Sequence, residues 1–256
     1  MKKTNDTLYI DGSFYHLNDP SDTTFQFHHL YGLAFNKDDE ESLIKDAFEA
    51  FDKYDIYWFD PRRSDDAFFD DSPLNSNSQD NVFNYLERGL TDYIVDILDV
   101  LLKHHVTIYR STDSKHFAES GSMNMNLINM IFKSNVEQLT FKYLDSERGD
   151  NDNYDHLHLI YSDDHVKEVL EEIEIDNIAR KSGEKEDVFH ALLDFFHSFV
   201  NYYFKLAYRG RRNKNYPIIK EIKDTYYPQI IYDRYKEVRK AAREIVKSIL
   251  ELKNKK

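Results

Sequence analysis

Leu8-Tyr9-Ile10-Asp11-Gly12-Ser13-Phe14-Tyr15 is the stretch on which the fold turns. An apolar run closes on an acidic residue and a glycine, so residues 7–17 open with a short strand that ends at Asp11-Gly12. The pattern returns downstream. Asp55-Ile56-Tyr57-Trp58-Phe59-Asp60 is stopped by Pro61, and Val106-Thr107-Ile108-Tyr109 runs through Ser111 into Asp113. Residues 136–144 read as a fourth strand. Leu157-His158-Leu159-Ile160-Tyr161 is a fifth, followed by Asp163 and Asp164. Helical spacing lies between the strands: Leu43, Ile44, Ala47, Phe48 and Phe51 over 39–53, and Leu86, Leu90, Ile94, Ile97, Leu98 and Leu101 over about 79–104. Shorter helices fit 125–133 and 163–175, and 62–79 is a polar loop. The alternation predicts an α/β domain over residues 1–175, with a mainly parallel sheet of about five strands flanked by helices.

The composition agrees with a folded chain. Of 256 residues, 41% are apolar and 32% charged, which excludes a disordered protein. With 7 Gly and 5 Pro, linker-dominated and collagen-like architectures are excluded too. There is no Cys, so disulfides, thiolate metal sites and Cys nucleophiles are ruled out. Residues 1–6 lack the apolar core of a secretory signal, and no apolar run approaches the ~20 residues that span a bilayer. These features predict a cytoplasmic protein with no membrane partner.

Charge is distributed unevenly. Residues 201–256 hold 16 Lys and Arg against 6 Asp and Glu, a net +10, which leaves −23 for residues 1–200 of the total −13. An acidic body with a basic tail predicts two modules, separated in the polar stretch 176–187. The second, 187–256, reads as a basic helical hairpin. Val188, Leu192, Phe195, Phe199, Tyr203 and Leu206 form one stripe. Ile231, Tyr235, Val238, Ala242, Ile245, Ile249 and Leu252 step by 4 and 3 along a final helix over 229–253, a seam that packs within the chain or pairs two copies. The tail also interleaves charge with rings. Arg209, Arg211, Arg212 and Lys214, flanked by Tyr208 and Tyr216, suit RNA or single-stranded nucleic acid, because cations neutralise phosphates and rings stack on bases.

Carboxylates placed after strands suggest chemistry. Ligands of parallel α/β sheets bind beyond the carboxyl ends of the strands. Asp11, Asp60 and Asp113 sit there, and such a group is stable when Mg²⁺ or Mn²⁺ neutralises it. The structural alternative is that each Asp merely caps a turn or helix. The segments 8–15, 56–61, Gly89-Leu90-Thr91-Asp92-Tyr93-Ile94-Val95-Asp96 and Ile108-Tyr109-Arg110-Ser111-Thr112-Asp113-Ser114 together resemble the NYN family, of PIN-like nuclease fold, over roughly residues 7–145. The resemblance implies a metal-dependent nuclease, most simply a ribonuclease, with Asp11, Asp92 and Asp113 catalytic and metal-binding and Asp60 a peripheral ligand. The sequence departs from that pattern where Phe14 and Tyr15 replace an Asn and where Lys115-His116 replace an acidic residue. Those departures, with the −23 body, support a non-catalytic alternative: an acidic protein that engages a basic partner surface, as an inhibitor or nucleic-acid mimic does.

Other constellations are weaker. Gly121-Ser122-Met123-Asn124 with Asn135-Val136-Glu137 resembles elements of phospholipase-D-like nucleases, but the nearby His105-Val106-Thr107 lacks their Lys. His156-Leu157-His158 has the spacing of a histidine metal pair, and equally that of the polar face of an edge strand. Asp92, Asp96 and Asp99 share one helix face, which reads as solvated.

Overall fold

The structure is a computed structural model that describes residues 7–18, 24–54, 89–111, 125–146, 157–161, 171, 178–182, 187–208 and 215–233. Five strands form one sheet: β1 (Thr7–Asn18), β2 (Thr24–Ala34), β3 (Thr107–Arg110), β4 (Leu157–Tyr161) and β5 (Ile178–Ser182). The helices are α1 (Glu40–Lys53), α2 (Gly89–Lys103), α3 (Met125–Leu144), α4 (Val188–Tyr208) and α5 (Tyr216–Ile230). Strand order is β3-β2-β1-β4-β5. The pairs β1–β2 and β2–β3 are antiparallel, whereas β1–β4 and β4–β5 are parallel.

The α/β class holds, but the sheet is mixed rather than mainly parallel. The cause is β2, which the sequence pattern does not reveal. Only residues 19–23 separate β1 from β2, and so short a link returns the chain antiparallel. The resulting hairpin pairs Tyr9 with Leu33 at one end and Asn18 with Thr24 at the other. Asp11 therefore does not end a strand; it lies inside β1, opposite Tyr31.

Other expectations need correction. Residues 136–144 are helical, the second half of α3, because Val136, Leu139, Thr140 and Tyr143 bury one helix face. Thr140 Oγ1 satisfies itself on the Val136 carbonyl at 2.9 Å. Within 176–187 the chain forms β5, which joins the sheet beside β4. Ile231 is not helical: it bridges to Ile108 in parallel, and Tyr232 N–H donates to the Ile108 carbonyl at 2.9 Å. That segment shields the free edge of β3. β4, read as an edge strand, is internal. The expected strand over 55–60, the loop over 62–79 and the heptad positions from Tyr235 onward lie outside the described residues.

Successive residues of a strand face opposite sides. On one side of the sheet, Leu8, Ile10, Leu30, Tyr109 and Leu159 pack with Val136, Leu139 and Tyr143 of α3. Gly32 permits this approach, since a Cβ there would meet Leu139 Cδ2 at 2.7 Å. On the other side, Tyr9, Tyr31 and Leu33 pack with the Leu192, Phe195, Phe196 and Phe199 stripe of α4, in a core shared with α1, α2 and α5. Each such side chain, fully buried, contributes about 1.5–3 kcal/mol. Phe195 and Phe199 are buried, as the stripe predicts.

The polar face of α2 is less solvated than expected. Asp96 accepts from Lys53 Nζ at 2.5 Å and Tyr54 OH at 2.8 Å, which ties α2 to α1. Asp99 accepts from Tyr226 OH of α5 at 2.7 Å. α2 closes in a Schellman turn: Val106 N–H reaches the Leu101 carbonyl at 2.9 Å and His105 N–H the Leu102 carbonyl at 3.0 Å. His105 takes the left-handed position there, with φ 50°. Among the described residues, no helix is long and apolar enough to cross a membrane.

Candidate functional site

Ile10 pairs with Tyr161 as the last parallel rung between β1 and β4. Asp11 is the first residue beyond it, so it stands at the carboxyl end of the parallel half of the sheet. It is also where the topology reverses, since β1 leads to β2 on one side and β4 leads to β5 on the other. Such switch points are where α/β sheets bind ligands. By strand alternation, Asp11 shares the α4 face with Tyr9.

α4 brings the partners. His190, Asp194 and His197 recur at steps of four and three, so they lie on one stripe. Asp187 caps the helix, accepting Phe189 N–H at 2.9 Å. α4 runs across the strands: His190 stands edge-on to Tyr9 of β1 at 5.8 Å, and His197 lies 5.0 Å from Tyr31 of β2. This crossing sets the Asp194 carboxyl beside that of Asp11.

The electrostatics of the pair follow from burial. Asp11 is buried and Asp194 is half-buried beside it. Desolvation pushes the Asp194 carboxyl well above the ordinary carboxylate range, and the neighbouring Asp11 adds to the shift. Both causes favour the protonated form of Asp194. His190 is moved the other way: desolvation lowers its pKa, while Asp11, Asp187 and the Ile10 backbone oppose. Its Nδ1 lies 3.8 Å from an Asp187 oxygen, and neither ring nitrogen completes a hydrogen bond of good geometry with the described residues. Burial also raises Tyr9 above the usual tyrosine range, with Asp187 and Glu40 adding to it. Ionisable groups held in a desolvated helix–sheet interface cost stability, which makes them a mark of function.

The sequence-derived residues separate. Asp11 is in the cluster. Asp92 is exposed on the first turn of α2 and is not. Asp60, Asp113, Arg209, Arg211, Arg212 and Lys214 lie outside the described residues. Tyr208 ends α4, and Tyr216 opens α5, where it stacks on Tyr203 at 6.1 Å. His190 and Asp194 do not stand out in the sequence. Their signal is periodic: polar residues that interrupt the apolar stretch 188–208 fall on one stripe facing the sheet. Asn135 is buried in α3, and His158 stands in β4 between two parallel neighbours, which favours neither of the other nuclease patterns.

Adjacent carboxyls are hard oxygen donors of the kind Mg²⁺ and Mn²⁺ take. Among the described residues, no group of three or more His, Asp and Glu gathers in a metal-binding arrangement. Asp11 and Asp194 are two such donors side by side. No family model, curated protein or solved structure matches the chain.

Proposed function

We propose that the chain is a phosphodiesterase that cleaves RNA or single-stranded nucleic acid with Mg²⁺ or Mn²⁺, centred on Asp11 and Asp194. The observation that carries this reading is the juxtaposition of the Asp11 and Asp194 carboxyls at the carboxyl end of the parallel half-sheet. Strand direction supports further ligands. The register sets Ile10 level with Tyr161, and Ser162, Asp163 and Asp164 follow in sequence. β3 runs the same way as β1, and Arg110 lies level with Asp11 through Tyr31. Two strand spacings make that about 10 Å, and Asp113 follows three residues later. Asp163 or Asp164, with Asp113, are thus proposed to join the pair. Asp92 and Asp60 are secondary candidates.

A divalent ion held there supplies a lowered-pKa water and charge stabilisation for the leaving oxygen. The chain's own part is to hold carboxylate oxygens rigidly on β1 and α4. Neutral His190, beside them, can take a proton on a ring nitrogen. The test is incubation of the full chain with end-labelled single-stranded RNA in Mn²⁺, Mg²⁺ or EDTA. Metal-dependent cleavage is expected. Asp11→Asn and Asp194→Asn should each lower the rate by about 10²-fold or more with the fold intact. Absence of cleavage in either metal, or full activity of Asp11→Asn, overturns the proposal.

A second reading, a binder of basic protein surfaces, draws on the −23 body and on the open groove between α1 and α2. Asp46, Glu49, Asp96 and Asp99 line that groove, against Lys53 and Lys103. Retention of a basic partner without cleavage would favour it.

A further inference from the structure

We infer that the second half of α4, the start of α5 and Arg110 form a stacking platform for single-stranded nucleic acid, an inference that rests on the phosphodiesterase reading and names how its substrate is held. Rings and cations alternate over this face. The Phe204 ring is 37% exposed, and the Arg110 guanidinium lies 5.7 Å from its centroid. Tyr203 and Tyr216 stack at 6.1 Å with 21° between their planes. Lys223 Nζ is 5.0 Å from the Tyr203 ring and 5.2 Å from that of Tyr227. Arg110 Nη1 donates to Tyr227 OH at 3.0 Å, which fixes the guanidinium over this surface. Lys220 is exposed at its margin. Asp224 pairs with Lys220 and, at 3.3 Å, with Lys223. Arg110, Lys220 and Lys223 therefore outnumber that carboxylate. The connection from α4 to α5 adds Arg209, Arg211, Arg212 and Lys214 in sequence.

The chemistry of this face favours one occupant. Phe204 and Ile218 are the large exposed apolar side chains here among the described residues, too little apolar area for a protein partner that binds by burial. The exposed Phe204 ring, backed by the half-buried Tyr203 and Tyr216 and flanked by cations, suits unpaired bases and their phosphates. A duplex hides its base faces and offers rings nothing to stack on. The acidic remainder of the chain repels phosphate, which confines a polyanion to this region.

The platform also leads to the carboxyl pair. α4 carries His190 over β1, Phe196 and His197 over β2, and Phe204 beside Arg110 of β3. Asp194 and Phe204 are ten residues apart on one helix, about 15 Å. The platform thus occupies the far end of the helix that carries Asp194.

The test is a fluorescence-anisotropy titration of the full chain with labelled single-stranded RNA and with its duplex, in EDTA so that no cleavage intrudes. Single strands should bind more tightly than duplex. Phe204→Leu, which keeps apolar area without a ring, should weaken single-strand binding about tenfold, whereas Phe204→Tyr retains it within about twofold. Lys220→Gln with Lys223→Gln should flatten the salt dependence by ~0.7 log units for each phosphate no longer neutralised. Equal affinity of Phe204→Leu and the parent chain, or tighter duplex binding, overturns the platform. So does failure of the parent chain to bind at low salt. Ring-dependent binding without cleavage in Mn²⁺ upholds the platform and sinks the phosphodiesterase, and cleavage indifferent to Phe204 does the reverse.

Discussion

The two faces of the sheet are built on opposite principles from the same strands. Against α3, β1 presents Leu8 and Ile10 to an apolar and tyrosine cluster, in which the buried hydroxyls of Thr140 and Tyr109 are bonded to Val136 O and Ser146 Oγ. Against α4, the alternate residues of β1 are Tyr9 and Asp11, and the helix answers with His190 and Asp194. The first face holds the sheet together by close packing, to the point that β2 needs Gly32 where it meets α3. The second tolerates desolvated ionisable groups among its aromatic rings. A period of two assigns structure to one set of residues and leaves chemistry to the next.

The contrast predicts different responses to mutation. On the α3 face, Leu139→Ala leaves a cavity in a dry core and should cost about 2–5 kcal/mol in urea unfolding, with no dependence on pH. A loss under about 1 kcal/mol, or one that varies with pH, would erase the distinction between the faces.

On the α4 face the effect should depend on pH. The folded-state pKa of Asp194 lies above its ordinary 3.8, so the folded protein keeps a proton that the unfolded chain releases. Stability from this group is complete below about pH 3.8 and declines as pH rises towards the folded-state value. Asn at 194 does not titrate. Asp194→Asn, melted in EDTA, should therefore be more stable than the parent chain at about pH 7, with the gap closing near pH 4. His190 has the opposite sign. Its folded-state pKa lies below 6.5, so stability falls as pH drops below about 6.5. Asp194→Asn should expose that acid-side loss alone. Parallel pH profiles for variant and parent would show that Asp194 is not desolvated.

The smallest effect lies off both faces. His105 holds φ 50° at the end of α2, where glycine carries no Cβ penalty. His105→Gly should stabilise by about 1 kcal/mol or less, equally at all pH values. A destabilisation would mean that interactions of the His105 side chain outweigh its backbone strain.

Local pattern revealed much of this fold. Among the described residues the stripes of α1, α2 and α4 and the runs that became β3 and β4 bury most of what their periods imply, with Ile44, Phe48 and Tyr203 half-buried and Leu86 outside the described residues. What failed was non-local. β2 contains Gln26, His28, His29 and Gly32, which blur its strand pattern, and only its pairing with β1 makes it a strand. Residues 136–144 alternate well enough to suggest a strand, and packing against Leu8 and Gly32 settles them as helix. Asp11 was legible because it breaks an apolar run before glycine. Asp194 was not, because its meaning depends on a strand far earlier in the chain, which no local period records.

β1 has neighbours of very different sequence distance. On one side it meets β2 through a link of a few residues; on the other, Thr7 pairs with His158, well over half the chain away. A hairpin closes in microseconds, whereas the long-range pairing pays the closure entropy of a large loop. The antiparallel half can therefore form while the chain is still being synthesised, and Asp11 waits on it. Its carboxyl meets no partner until the ribosome has released α4, so any activity at this pair switches on only in a chain completed through Tyr208.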